Sequence, residues 1–168
     1  MAKSIYDRLP VYHQIEVNNL KGLQPGFVVA QMEMDPAETE ILKDGMFENG
    51  HLCEIGPAGI KKYENGKTLF LHYTEPIITL GSPIAYRFFA VEVESENPRL
   101  VQLIPGDEWM CTIDYMEDPL YAELFAEGGA LAGRVVKLTA ENTQSKDDWF
   151  AVETMADGTK GYHYMFLG

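Results

Sequence analysis

Turn signals interrupt this chain every ~8–12 residues, the spacing of β-sandwiches and β-barrels. They include Pro25-Gly26, Asn49-Gly50, Gly56-Pro57-Ala58-Gly59, Asn65-Gly66, Asn97-Pro98, Pro105-Gly106-Asp107 and Asp157-Gly158. The runs between them are short, apolar or alternating, and rich in β-branched and aromatic residues. Long helices have no room, and the β-α-β alternation of a doubly wound parallel sheet is absent. The pattern predicts a mainly β protein: an antiparallel barrel or sandwich of about nine to ten short strands with two short helices.

Val11–Val17 alternates, with Val11, Ile15 and Val17 on one face and Tyr12, Gln14 and Glu16 on the other, so it reads as a half-buried strand. Further strands are expected over Phe27–Met32, Met46–Glu48, His51–Ile55, Thr68–Tyr73, Tyr86–Glu94, Leu100–Ile104, Glu108–Ile113, Arg134–Thr139, Trp149–Met155 and Gly161–Phe166. Asn49-Gly50 is the strongest two-residue hairpin signal, and Asp157-Gly158 is expected to join the last two strands. The first helix is expected from Asp35, an N-cap followed by Pro36, with Glu38 at capping-box spacing and Gly45 as its stop. The second spans Asp118–Glu127, where Leu120/Leu124 and Tyr121/Phe125 fall at i,i+4. Gly128–Gly133 reads as a loop or hinge, and Ala140–Asp148 as an exposed loop.

The chain has 168 residues, with 13 Lys+Arg against 26 Asp+Glu, a net charge of −13. Such a balance argues against sequence-independent nucleic-acid binding, which needs a basic surface to displace counterions. With 46% hydrophobic residues the chain can still bury a core. No run of about 18 uncharged apolar residues exists to span a membrane. The first ten residues lack the apolar centre of a secretory signal. They read as an N-terminal arm, 1–10, ahead of one β-rich domain, 11–168. Ile5, Tyr6, Arg8 and Leu9 are the candidate partner contacts, because an apolar arm outside a small core suits packing on a neighbouring protein. The alternative is a tail folded back on its own domain.

No catalytic signature emerges. Cys53 and Cys111 sit in apolar strand-like runs and read as free buried thiols. His51 and Cys53 share a strand face, but no CxxC or HxxxH spacing supplies the further ligands zinc needs. His72 and His163 lie in aromatic β-runs and read as hydrogen-bonded or surface histidines. Glu92, Glu94 and Glu96 alternate along one strand and read as a solvated acidic face. Gly66-Lys67-Thr68 mimics the end of a phosphate loop, but Lys61 stands where its first glycine is required. No cofactor is expected.

Four ordered motifs, Leu9-Pro10-Val11-Tyr12 with Glu16-Val17, Gly22-Leu23 with Gly26–Ala30, Leu42–Phe47, and Leu69–Glu75, are followed by Pro98–Trp109 with its strand, Gly-Asp and aromatic. This series resembles the auxiliary head, or capsid decoration, proteins of tailed bacteriophages. The resemblance implies a non-enzymatic virion protein, assembled in the host cytoplasm, on the exterior of the expanded shell. Its partner would be the major capsid protein, whose neighbouring capsomers it would cement, as a homotrimer or as monomers at repeated sites. It implies no contact with nucleic acid or membrane. Two other readings stand beside it: a small cupin-like ligand-binding barrel or enzyme, and a neck or tail component.

Overall fold

Short runs between turns become short strands. In the computed structural model the described residues are 28–43, 45–66, 68–74, 90–94, 97–111, 113–138 and 162–168. They form β1 (Val28–Gln31), β2 (Leu42–Lys43), β3 (Met46–Glu48), β4 (Leu52–Gly56), β5 (Gly59–Lys62), β6 (Phe70–His72), β7 (Ala90–Glu92), β8 (Arg99–Gln102), β9 (Glu108–Cys111), α1 (Ala122–Phe125), β10 (Val135–Leu138) and β11 (Tyr162–Phe166). The mainly β, antiparallel class expected from the turn spacing is what the chain adopts.

The strands make three sheets: a central one in the order β1-β8-β6-β4-β5, and two of three strands, β10-β11-β9 and β2-β3-β7. Every pairing between them is antiparallel. The central sheet is buried on both faces because successive residues of its strands feed two cores. Leu52 and Leu71 join a larger core with Trp109, Cys111, Tyr115, Tyr121, Leu131, Val135, Tyr164 and Phe166. Their neighbours Cys53 and Phe70 join a second with Met34, Ile41, Phe47, Ile60 and Leu100. Strand β6 is consequently buried at all three positions, Phe70, Leu71 and His72.

The first expected helix is not formed. Asp35 does receive a backbone bond, from Ala37 N–H at 2.9 Å, but the chain makes only a turn there. The Glu38 carboxylate, instead of closing a capping box, accepts from Glu40 N–H at 2.8 Å and from Lys62 N–H of β5 at 2.8 Å. Leu42–Lys43 then pairs with Met46–Phe47. Gly45, at φ +77°, therefore belongs to a hairpin turn and not to a helix stop. A two-turn helix has little stability of its own, and strand pairing that buries Phe47 prevails. The second helix shrinks to the single turn α1. Asp118 caps the turns before it, its Oδ1 accepting Leu120 N–H at 2.8 Å.

Asn49-Gly50 is a corner and not a hairpin. The strands it separates enter different sheets, β3 pairing with β2 and β7, and β4 with β5 and β6. The tight turn after β4 falls instead at Pro57-Ala58, with Gly56 opposite Gly59. Gly59 has φ +143°, and a Cβ there would stand 2.6 Å from the Glu33 carbonyl oxygen. That closeness lets residues 33–35 cover the edge of β5, where Ile60 N–H donates to Glu33 O at 3.0 Å and Asp35 N–H to Ile60 O at 2.8 Å. Gly128–Gly133 is a run of hydrogen-bonded turns pinned by Leu131, which is buried and whose N–H donates to Leu124 O at 2.9 Å. The strands expected at Val11–Val17 and Trp149–Met155, the loop Ala140–Asp148 and the turn Asp157-Gly158 lie outside the described residues.

Candidate functional site

One group of hydrogen-bonding side chains gathered by the fold lies in the larger core. Strand β9 brings in Trp109 and Cys111, the following turn brings Tyr115, and β11 brings Tyr164. Trp109 Nε1–H donates to the Tyr115 hydroxyl at 3.1 Å, and that hydroxyl donates to the Gly50 carbonyl at the sheet corner. The Tyr164 hydroxyl accepts from Tyr115 N–H at 3.1 Å and lies within donating distance of Ile113 O, 3.1 Å, and Asp114 Oδ1, 3.2 Å. Lys137 Nζ holds the other oxygen of Asp114 at 2.7 Å. Buried aromatic hydroxyls and indole N–H groups need such partners, and here they tie three segments together.

A second group stands where β3 leaves its sheet for β4. His51 Nδ1 lies 2.6 Å from the Tyr121 hydroxyl. His72 places Nδ1 2.5 Å from the Glu48 carbonyl and Nε2 2.9 Å from Thr74 Oγ1. Phe47 stacks on both rings, at centroid distances of 3.8 Å to His72 and 5.5 Å to His51. Asn49 clamps Thr74, accepting its N–H at 2.8 Å and donating to its carbonyl at 3.1 Å, as a paired strand would.

The chemistry open to these groups is narrow. Burial pushes the Cys53 thiol well above its usual range and the Cys111 thiol up to about 12, so neither offers a thiolate nucleophile near neutral pH. Both are free. Burial likewise raises Tyr115, Tyr121 and Tyr164. Burial pushes His72 down to about 3, so its ring is neutral. Each of these groups is held in its uncharged form, the state that suits a hydrogen-bonded core and disfavours acid–base or nucleophilic work. The His51 ring is engaged by Tyr121 and stacked on Phe47. Among the described residues no group of three or more His, Cys, Asp or Glu is placed to hold a metal.

Nearer the surface, Glu54 does structural work of a kind its sequence position did not announce. Its Oε2 accepts from the N–H groups of Glu64, Asn65 and Gly66, the last at 2.6 Å, and Lys61 Nζ stands 3.0 Å from Oε1. Burial opposes the charge there, but the lysine and the backbone donors outweigh it and hold the carboxyl below its usual range. The Gly66-Lys67-Thr68 triplet thus follows a turn whose backbone donors are taken by an internal carboxylate. His163 Nε2 lies 3.0 Å from Glu108 Oε2 across the β11–β9 pair. Glu94 is exposed, in keeping with a solvated acidic face, while Glu96 lies outside the described residues.

Among the described residues the exposed large apolar side chains are Ile55, Ile104, Met116 and Leu167. Ile104 and Leu167 belong to adjoining segments, because Gly106 N–H donates to Phe166 O at 2.8 Å and Phe166 N–H to Asp107 O at 2.9 Å. Sequence reasoning overlooked this junction. Its only signal was an apolar Ile104 beside the Pro105-Gly106 turn. The expected partner contacts Ile5, Tyr6, Arg8 and Leu9 all lie outside the described residues, so the structure does not place them. No described helix is long and apolar enough to cross a membrane. Comparison with protein families, curated proteins and solved structures found no match to the chain.

Proposed function

We propose that this is a non-enzymatic structural protein that binds the outer face of a phage capsid and cements neighbouring capsomers, its partner being the major capsid protein. The observation that carries the reading is the ordered series of motifs, from Leu9-Pro10-Val11-Tyr12 to Pro98–Trp109, in a chain that folds into antiparallel sheets. The interior chemistry is compatible with it. The buried thiols, phenols and His72 stay uncharged and serve packing, which favours a binding scaffold over a catalyst. Modest affinity per copy is enough when a shell repeats the site many times. Apolar anchors and strand addition, with Ile5, Tyr6, Arg8 and Leu9 as the contacts, would supply that affinity.

The test is co-sedimentation of the purified chain with expanded and with precursor shells of the phage that carries its gene. The expected result is saturable binding to expanded shells alone, weakened at least about tenfold by deleting residues 1–9. Absence of the protein from both shells and purified virions would overturn the reading. Full binding by the truncated chain would remove the arm from it.

A further inference from the structure

The corner at His72 joins two sheets through a buried ring whose partners suit its neutral form. We propose that His72 is an acid-released latch that holds the β2–β3–β7 sheet on the central sheet. The inference is independent of the capsid reading.

The argument begins with the ring's hydrogen bonds. Nδ1 faces the Glu48 carbonyl at 2.5 Å. A carbonyl can only accept, so Nδ1 carries the proton. Nε2 faces Thr74 Oγ1 at 2.9 Å, and that oxygen already accepts Arg99 N–H at 2.9 Å. The Thr74 hydroxyl therefore donates to a bare Nε2, and the neutral ring is satisfied on both sides. A second proton on Nε2 would turn an acceptor into a donor. It would face an oxygen whose own proton has to turn away and which already receives Arg99. It would also place a cation in a fully buried site stacked on Phe47 at 3.8 Å.

A proton on Nε2 would break the Thr74 contact and leave the Nδ1–Glu48 bond in place, so the cation is relieved only when the ring reaches water, and β3 of the outer sheet is what covers one face of the ring. Glu48 ends β3 of the outer sheet, and His72 ends β6 of the central one. Phe47, also of β3, is fully buried in the second core and stacks on the same ring. Among the described residues, the titratable and charged groups on the elements packed around His72 are Glu48 on β3, Cys53 and Glu54 on β4 with His51 just before it, and Arg99 on β8; the Glu54 carboxylate is taken by Lys61 and the Gly66 N–H. Tyr121 lies behind His51. Glu48 presents its backbone carbonyl to the ring, and the ring's desolvation outweighs that bond.

An opened corner returns His72 to water and to its ordinary value near 6.5. The closed corner holds it far lower, so its contribution is complete above about pH 6.5 and is lost as the pH falls toward 3. In that window the opening constant rises about tenfold per pH unit, the signature of one proton taken up on opening.

Hydrogen exchange read by mass spectrometry between pH 7.5 and 4.5, corrected for the intrinsic rate, tests this on the whole chain and on His72→Gln. Protection in 42–50 and 70–74 should fall about tenfold per pH unit below about 6.5, while 135–138 and 162–166 keep theirs. In His72→Gln that slope should vanish. The same slope in the variant, or simultaneous loss in both regions, would overturn the latch. Ring 15N shifts of the unaltered protein decide the matter should the variant fail to fold. An Nδ1-protonated ring at neutral pH that becomes doubly protonated only as the corner opens supports the latch, and a doubly protonated ring in a closed corner refutes it.

Discussion

Tyr115 shows how a single residue can serve several parts of this fold. Its hydroxyl meets Trp109, Cys111 and the Gly50 carbonyl, and its ring packs against Tyr121, Tyr164 and Phe125. Removing only the oxygen keeps the packing and strands the Trp109 N–H and the Gly50 carbonyl. Tyr115→Phe should therefore lower stability by about 1–3 kcal/mol, read from the urea midpoint at unchanged slope. An unchanged midpoint would mean that water or a shifted neighbour replaces the hydroxyl. Free buried thiols were legible from Cys53 and Cys111, since each sits in an apolar strand-like run. Tyr115 was not: residues 114–121 carry no strand period, and its importance comes from partners up to 65 positions away in the chain.

Among the elements, the β4–β5 hairpin relies on one glycine. At Gly59 both the positive φ and the close approach of Glu33 and Asp35 exclude a side chain. Gly59→Ala should force residues 33–35 off the β5 edge at a cost of roughly 1–3 kcal/mol. Exchange at Ile60 and Asp35, whose N–H groups bond across that edge, should quicken with it. Retained protection at both would show that the strap is held by other contacts, such as Glu38 on Lys62 N–H. Most strands were legible because each is short, β-prone and bounded by turn residues, whereas β5 (Gly59–Lys62) was not expected and β2 (Leu42–Lys43) fell inside the expected first helix. The helix expected at Asp35–Gly45 and the hairpin at Asn49-Gly50 were misread for one reason. Local signals say that the chain caps or turns, but the partner of the next segment is a tertiary choice.

At the scale of the molecule, the net charge of −13 is carried with little compensation. Among the described cations, Lys61, Lys62 and Lys137 each already face a carboxylate, and Arg134 is bonded to Tyr63 and the Ala130 carbonyl. Surplus acid groups therefore repel one another in the compact state. Raising NaCl from about 0.1 M to 1 M shortens the screening length from about 10 Å to about 3 Å. The melting temperature should rise by roughly 2–4 °C, equivalent to about 1 kcal/mol for a chain of this size. A fall on adding salt would instead make the surface ion pairs the dominant electrostatic contribution.

The sequence by itself determined the class. Frequent turns and short alternating or apolar runs exclude long helices and parallel sheets, and they demand antiparallel strands with buried faces. It also determined which side chains could not stay in water, including both cysteines and most strand aromatics. Only the tertiary structure decided which strands pair, that the central sheet is covered on both faces, and that Asn49-Gly50 turns the chain from one sheet into another. Local preferences differ by about 1 kcal/mol, whereas burying Phe47, Leu71 or Trp109 is worth several times that. The arrangement that buries all three therefore overrides the local signals wherever the two conflict.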